Sequence, residues 1–567
     1  MKNRINVFLV LTLSALILSC GGNQQARASA VESLAIAPDL PERLKKLPDT
    51  VIDYDRSLLT DNEKKVVDKL IEVSRYMDEI FWRQVTEENP KLRQQLENLA
   101  KSNDQYRPAL KYFYLNKGRW DRLMGEEPFI APFGEAGKKP EGAGFYPVDM
   151  TKEEFEKWIA DHPEDRDRFQ SLNTVIRRKD NQLVAVSYSV EYGDLLQPAV
   201  QKLREAAALS ENNSLRDYLT KLAEALLKDD YYQSDFAWMD LNSPIEVVLG
   251  PYEVYEDELF NYKAAFESFV TVVDRAESEK LAVYAKHLPD MEKNLPIPDI
   301  HKNPNRGTES PIRVVQEIFT AGDARRGVQT AAFNLPNDER VRELKGSKKV
   351  LLKNVLDAKF RQSGLPIARR IWDTTQLPHV TFDSFFIQIL FHELSHGLGP
   401  GIIVGPDGKK VENRILLKNL YSTIEEAKAD VAGLWNLFYA IDNGIVTAID
   451  KKAIMGTNAA LHFRSMRFGI HEAHGRGTAV QWNWLREKGA IVPAENGRFR
   501  VIFDKYEAEI KALAHELLMI EAMGDYDRAQ KLLDQYGKST PEIESVNERL
   551  KDIPVDIGPL FVGAGEK

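Results

Sequence analysis

Cysteine is almost absent from this sequence: a single residue, Cys20, stands in 567. An internal disulfide is therefore excluded. Basic charge is also short, with 76 Lys and Arg against 86 Asp and Glu and a net charge of −10. No basic block relieves that balance, so the electrostatic footprint of a nucleic-acid binder is missing. Apart from one short stretch at the amino terminus, no apolar run is long enough to cross a bilayer as a helix. There is no internal repeat. What is present, 43% hydrophobic and 29% charged residues, is the profile of a globular protein. The length exceeds one ordinary core, and two lobes or two to four domains are expected.

At the amino terminus, Lys2 and Arg4 precede an apolar run from Val7 to Leu18 with the shape of a secretory signal. Its end, Leu18-Ser19-Cys20-Gly21-Gly22, resembles a bacterial lipoprotein signal, in which the cysteine receives lipid and becomes residue one. Residues 1–19 are expected to be signal peptide. Residues 20–45, rich in Gly, Gln, Ala and Ser and then punctuated by Pro, are expected to be a tether. Together they predict a lipoprotein of the bacterial cell envelope, anchored to the membrane through Cys20.

The body reads as helix-dominated α+β. Apolar residues recur at helical spacing over 64–81, 91–101, 109–114, 194–209 and 214–228. Thr151-Lys152-Glu153-Glu154 has the form of a capping box. Segments 175–178 and 183–190 flank Lys179-Asp180-Asn181 and predict a hairpin. The five-proline stretch 286–312 predicts a long surface loop, and 499–503 a short strand.

The chemistry concentrates in His392-Glu393-Leu394-Ser395-His396, which follows an apolar helical run and precedes Gly397, Gly399 and Pro400. Histidines at i and i+4 share one helix face and reach one zinc ion. Glu393 projects beside them, placed to take a proton from a water that the metal acidifies. The chain supplies its own controls. His515-Glu516-Leu517-Leu518 ends in Met519, and His471-Glu472-Ala473-His474 has the wrong spacing. A third ligand is expected on a neighbouring element, and thirty residues on comes Thr423-Ile424-Glu425-Glu426-Ala427-Lys428-Ala429-Asp430. Thr423 and Glu426 have the spacing of a simple capping box. Glu426 and Asp430 are also i,i+4, so a glutamate on zinc puts the aspartate where it accepts an imidazole N–H.

At this point the sequence resembles the dipeptidyl peptidase III family of zinc metallopeptidases. That family has a Glu-Glu-x-x-Ala-Glu/Asp segment after its zinc helix, here Glu425 to Asp430, with the second glutamate as ligand. The resemblance therefore implies one zinc ion on His392, His396 and Glu426, with Glu425 and Asp430 behind the ligands. The motif here is the five-residue variant of a six-residue family pattern. Asn334-Leu335-Pro336-Asn337 resembles the Asn-x-Pro-Asn whose asparagines hold the substrate backbone. The segment from Ser243 to Asp257 resembles the family's Glu-x-Tyr-x-Gly strand, with Glu246 and Glu253 as an acidic corner for a free amino terminus and Val248 in the place of the tyrosine. The segment from Phe463 to Gly475 resembles the helix beyond the metal, which implies Arg467, His462 and His474 as substrate-binding candidates. The family's transition-state histidine has no clean counterpart, His462 standing one place out of register and His474 further along. The likeness extends to the branch found behind Nudix domains in plant proteins, although no Nudix box occurs.

The resemblance implies two lobes across a wide cleft: a helical upper lobe with the zinc site, and a mixed lower lobe with a β-barrel core. Transferred to this chain, the lower lobe takes 46–266, 318–363 and 531–567, and the upper lobe 267–317 and 364–530. The implied function is a zinc peptidase releasing dipeptides from the amino termini of short peptides. Two other readings are a zinc hydrolase with endopeptidase or other amide specificity, and a lipid-anchored peptide binder without turnover.

Overall fold

The computed structural model describes residues 33–303, 312–405, 408–467, 469–470 and 472–566. The stripe at 64–81 belongs to α1 (Asp61–Val85), opened by a full capping box between Thr60 and Glu63. On it packs α2 (Gly193–Leu209), and on that α3 (Asn213–Lys228). The predicted hairpin turns on Asp180 and Asn181, with φ of 49° and 65°, the two positive values a tight two-residue turn requires. Its second strand ends at Ser187 and not Val190, because the Tyr188 ring is buried and begins a short helix.

Below α1 lies a five-stranded sheet: β1 (Ile245–Glu253), β2 (Ala265–Val273), β3 (Ile312–Gly322), β4 (Ala332–Leu335) and β5 (Lys348–Leu352). The spatial order is β1-β2-β3-β5-β4, antiparallel throughout except for β3 beside β5. Since β1 and β4 are edges, the sheet is a half-barrel and not the closed barrel expected.

Buried apolar residues gather in two large clusters that meet at this sheet. Along β5, Val350 and Leu352 belong to the cluster with α1, and Leu351 to the cluster with the helices that follow. Strand side chains alternate in direction, so one strand serves both. Residues 267 and 317 lie inside β2 and β3, and between Val273 and Ile312 the chain runs outside the sheet. Towards the carboxy terminus Leu532, Ile543, Val546 and Ile553 pack in the second cluster, and Ile557 and Phe561 in the first. There Gly558–Phe561 pairs in parallel with Asp49–Ile52.

The proline-rich stretch expected as loop contains a helix, Leu288–Asn294, with Pro289 in its first turn where the missing N–H does no harm. Its Glu292 accepts a hydrogen bond from the Gly399 amide at 2.8 Å, fixing the turn after the histidines. No helix of the described residues is long and apolar enough to cross a membrane. Cys20, the signal segment and residues 20–32 of the tether lie outside the described residues.

Candidate metal centre

The second cluster is built on α4 (Phe382–Ser395), α5 (Tyr421–Asp442), α6 (Lys451–Met466), α7 (Ala473–Glu487) and α8 (Phe503–Met523). α4 opens on Thr381, whose hydroxyl accepts from the Ser384 amide at 3.2 Å. It buries Phe385, Phe386, Ile387, Leu390, Phe391 and Leu394. Burial of such side chains is worth about 1.5–3 kcal/mol each, which outweighs the middling helix propensity of Phe and Ile.

Against α4 lies α5, close enough that a Cβ on Gly433 would stand 3.0 Å from the His392 amide nitrogen. The start of α5 therefore faces the end of α4. Because α5 already begins at Tyr421, Thr423 sits inside its first turn and caps nothing, and Glu426 is free to reach the histidines. His392 Nε2 and His396 Nε2 are 3.0 Å apart, with Glu426 Oε2 at 3.4 and 3.7 Å from them. Among the described residues these three form the one His, Cys, Asp and Glu group able to hold a metal ion.

Behind them, Asp430 Oδ1 faces His392 Nδ1 and Glu425 Oε1 faces His396 Nδ1, each at 2.7 Å. A carboxylate against Nδ1 keeps the N–H there and turns the Nε2 lone pair inward. Two such lone pairs at 3.0 Å repel unless a cation stands between them, and Glu426 Oε2 is buried without a hydrogen-bond partner. The donor set thus fits a divalent metal ion. Burial pushes the His392 imidazolium down, but Asp430 and Glu426 raise its pKa to about 10. Burial pushes Glu426 and Asp430 up, and the histidines hold both below the usual carboxylate range.

Two lysines that no sequence signal singled out complete the centre. Lys349 Nζ donates to Glu393 Oε2 at 2.9 Å and to the Glu393 carbonyl at 2.8 Å. Lys428 Nζ donates to Glu425 Oε1 at 2.8 Å and to the carbonyls of Ser395 and Leu398 at 3.2 and 3.3 Å. Both ammoniums cap the carbonyl-rich end of α4, where the helix dipole favours positive charge. Burial pushes Glu393 up, yet Lys349 and then His392 pull it below its usual value. Burial pushes Lys428 down, and Glu521 and Glu425 raise it to about 12. Gln481 of α7 donates to Asp430 Oδ2 at 3.0 Å.

The remaining expected residues divide. Asn334, exposed on β4, is the register partner of Lys349. Asn337 donates to the Tyr252 carbonyl at 3.1 Å and to Glu253 Oε1 at 3.5 Å. Burial raises the pKa of Glu253. His474 puts Nδ1 3.3 Å from Glu426 Oε2 and is exposed. Three others are not brought here. Glu246 is buried against Lys348 Nζ at 3.2 Å and is closed to any ligand ammonium. Arg467 donates to the carbonyls of Ile553 and Pro554. His462 is 3% exposed inside the helical core, where burial lowers its pKa to about 4. Val248 is also buried.

Residues 148–433 match peptidase family M49. The chain is 35% identical to Nudix hydrolase 3 of Arabidopsis thaliana, over 94% of its own length and 75% of that protein's. It belongs to peptidase family M49, the dipeptidyl peptidase III family. DPP III from Caldithrix abyssi is 50% identical, with a TM-score of 0.89 over 92% of this chain and 98% of that one. Dipeptidyl-peptidase III from Corallococcus sp. strain EGB is 42% identical, with a TM-score of 0.78 over 94% and 98%. Human dipeptidyl peptidase 3 is 28% identical over 37% of this chain and 28% of its own length. The protein is thus an M49 metallopeptidase with the dipeptidyl peptidase III fold. In this M49 chain Asp430→Ala is expected to weaken metal binding roughly 10- to 100-fold, read by competition against a chelator. Unchanged affinity would remove Asp430 from the centre.

Proposed function

We propose that this enzyme binds one zinc ion on His392, His396 and Glu426 and releases dipeptides from free amino termini of short peptides. The observation that carries the reading is the cross-strand pair of Asn334 and Lys349, with Lys349 bonded to Glu393. Edge strand β4 and the carboxylate base are thereby on the same side of one sheet. An extended peptide added to that edge would use the main-chain groups that β5 leaves free. Asn337, three residues beyond Asn334 and just past the end of β4, donates to Glu253 Oε1 at 3.5 Å. We assign Glu253 to the free amino terminus of a peptide whose scissile bond lies at Glu393.

Zinc, when bound, supplies a Lewis acid that acidifies water and polarises the scissile carbonyl. Glu393 takes the proton from the attacking water and returns it to the leaving amine. His474, exposed beside Glu426, is the side chain we assign to the developing oxyanion. Asp430 and Glu425 hold the imidazoles, and Lys428 holds Glu425.

The buried Val248 offers no hydroxyl to a substrate, which favours testing for a different cleavage position. Peptides of four to eight residues, with free or acetylated amino termini, would be incubated with the full chain and the products weighed by mass spectrometry. Dipeptides from free termini alone are expected. Internal cuts, or equal cutting of acetylated peptides, would discard the dipeptidyl specificity. We further propose that the Ser19-Cys20-Gly21 site anchors the enzyme to the envelope membrane; a Cys20→Ser chain that remains in the membrane fraction would sink that assignment.

A further inference from the structure

Lys349 is neither a metal ligand nor the base, yet its surroundings tie it to both reaction and substrate edge. Its ammonium crosses from β5 to α4 and donates twice to one residue, to the Glu393 carboxylate at 2.9 Å and to the Glu393 main-chain carbonyl at 2.8 Å. That carbonyl is available because the Gly397 amide bonds Leu394 at 3.4 Å instead of completing the helical pattern. The contact is sheltered, with 16% of the Lys349 side chain and 22% of the Glu393 side chain exposed. On its other side stands Asn334, directly opposite in the antiparallel pair, and such partners project to the same face. The preceding residue, Lys348, points the other way and is buried against Glu246.

We propose that Lys349 is a positioning residue for peptide hydrolysis, setting the Glu393 carboxylate at the height of a peptide seated on β4. The proposal rests on the reading of β4 as the substrate edge and Glu393 as the base. A glutamate at a helix end swings about its own side-chain torsions. Held by an ammonium that is itself bonded to the same residue's main chain, it keeps one position relative to α4. Because Lys349 belongs to the central sheet, that position is also set relative to β4. The bond joins the two clusters as well: β5 contributes Val350 and Leu352 to the first, whereas α4 lies wholly in the second. Lys349 gives up no proton in this role.

Lys349→Met keeps most of the length and removes every donor, and Lys349→Arg restores donors and charge. In the zinc-loaded full chain, Lys349→Met is expected to lower kcat ~30- to 100-fold, the scale of an ångström-sized misplacement. KM should stay within about threefold, since ground-state binding is untouched, and Lys349→Arg should recover most of the loss. Zinc content should be the same in all three proteins. Hydrogen exchange over 391–398 is expected to rise in Lys349→Met, with or without zinc, and not in Lys349→Arg. An unchanged kcat in Lys349→Met overturns the proposal, as does a loss confined to KM or shared equally by the arginine variant. If the wild type cuts internal bonds, the dipeptidyl reading fails while Lys349 is still judged on that cut. If it cuts no peptide, exchange alone decides: equal protection in the methionine variant and the wild type overturns the proposal.

Discussion

Glu393→Gln is expected to keep its metal and lose ~10²- to 10⁴-fold in kcat, the range that a positioned general base contributes. The amide has the carboxylate's shape and still accepts from Lys349, so the end of α4 should not move. What it lacks is a basic oxygen. In the wild type that oxygen is held ready as an anion: burial pushes Glu393 up, but Lys349 and His392 bring it below its ordinary value. The check is kcat per bound zinc, with metal content measured on the same sample. A loaded variant that turns over within tenfold of the wild type would assign the proton transfer to another group, and exposed His474 would be the first to test.

Metal removal is the second large effect. Glu425, Glu426, Asp430 and Glu393 crowd one end of α4, where Lys349 and Lys428 supply cations. A zinc ion held by His392, His396 and Glu426 would bind only the folded state, which alone brings the three together, and so would stabilise it. At free zinc a thousandfold above its Kd, the linkage is worth about 4 kcal/mol. Chelation should therefore lower the unfolding midpoint of the wild type clearly. Glu426→Ala, which loses a ligand, should show little response to zinc or chelator. Denaturant unfolding with and without metal measures both. Equal zinc-dependent shifts in the two proteins would remove Glu426 from the ligand set.

Much of this centre was legible in the sequence because its parts are local. His392, Glu393 and His396 lie within one turn of a helix, and Glu425, Glu426 and Asp430 within the first turns of another, so periodicity alone gives each set a face. The helices were legible for the same reason. Three expected residues take neighbours that sequence reading did not supply. Glu246 alternates onto the face where Lys348, 102 residues away, waits for it. Arg467 meets main-chain carbonyls 86 and 87 residues on, and His462 turns into the core.

By itself, then, the sequence determined the residues of the candidate metal site, the helices that carry them and the class of the fold. Only the tertiary structure decided which cations attend the carboxylates and which strands are laid beside Glu393. Lys349 is one lysine among many until β5 pairs with both β3 and β4 and is laid beside α4. A strand's periodicity says which side chains share a face but not what that face meets, and here the meeting of two separately built cores sets Lys349 against Glu393.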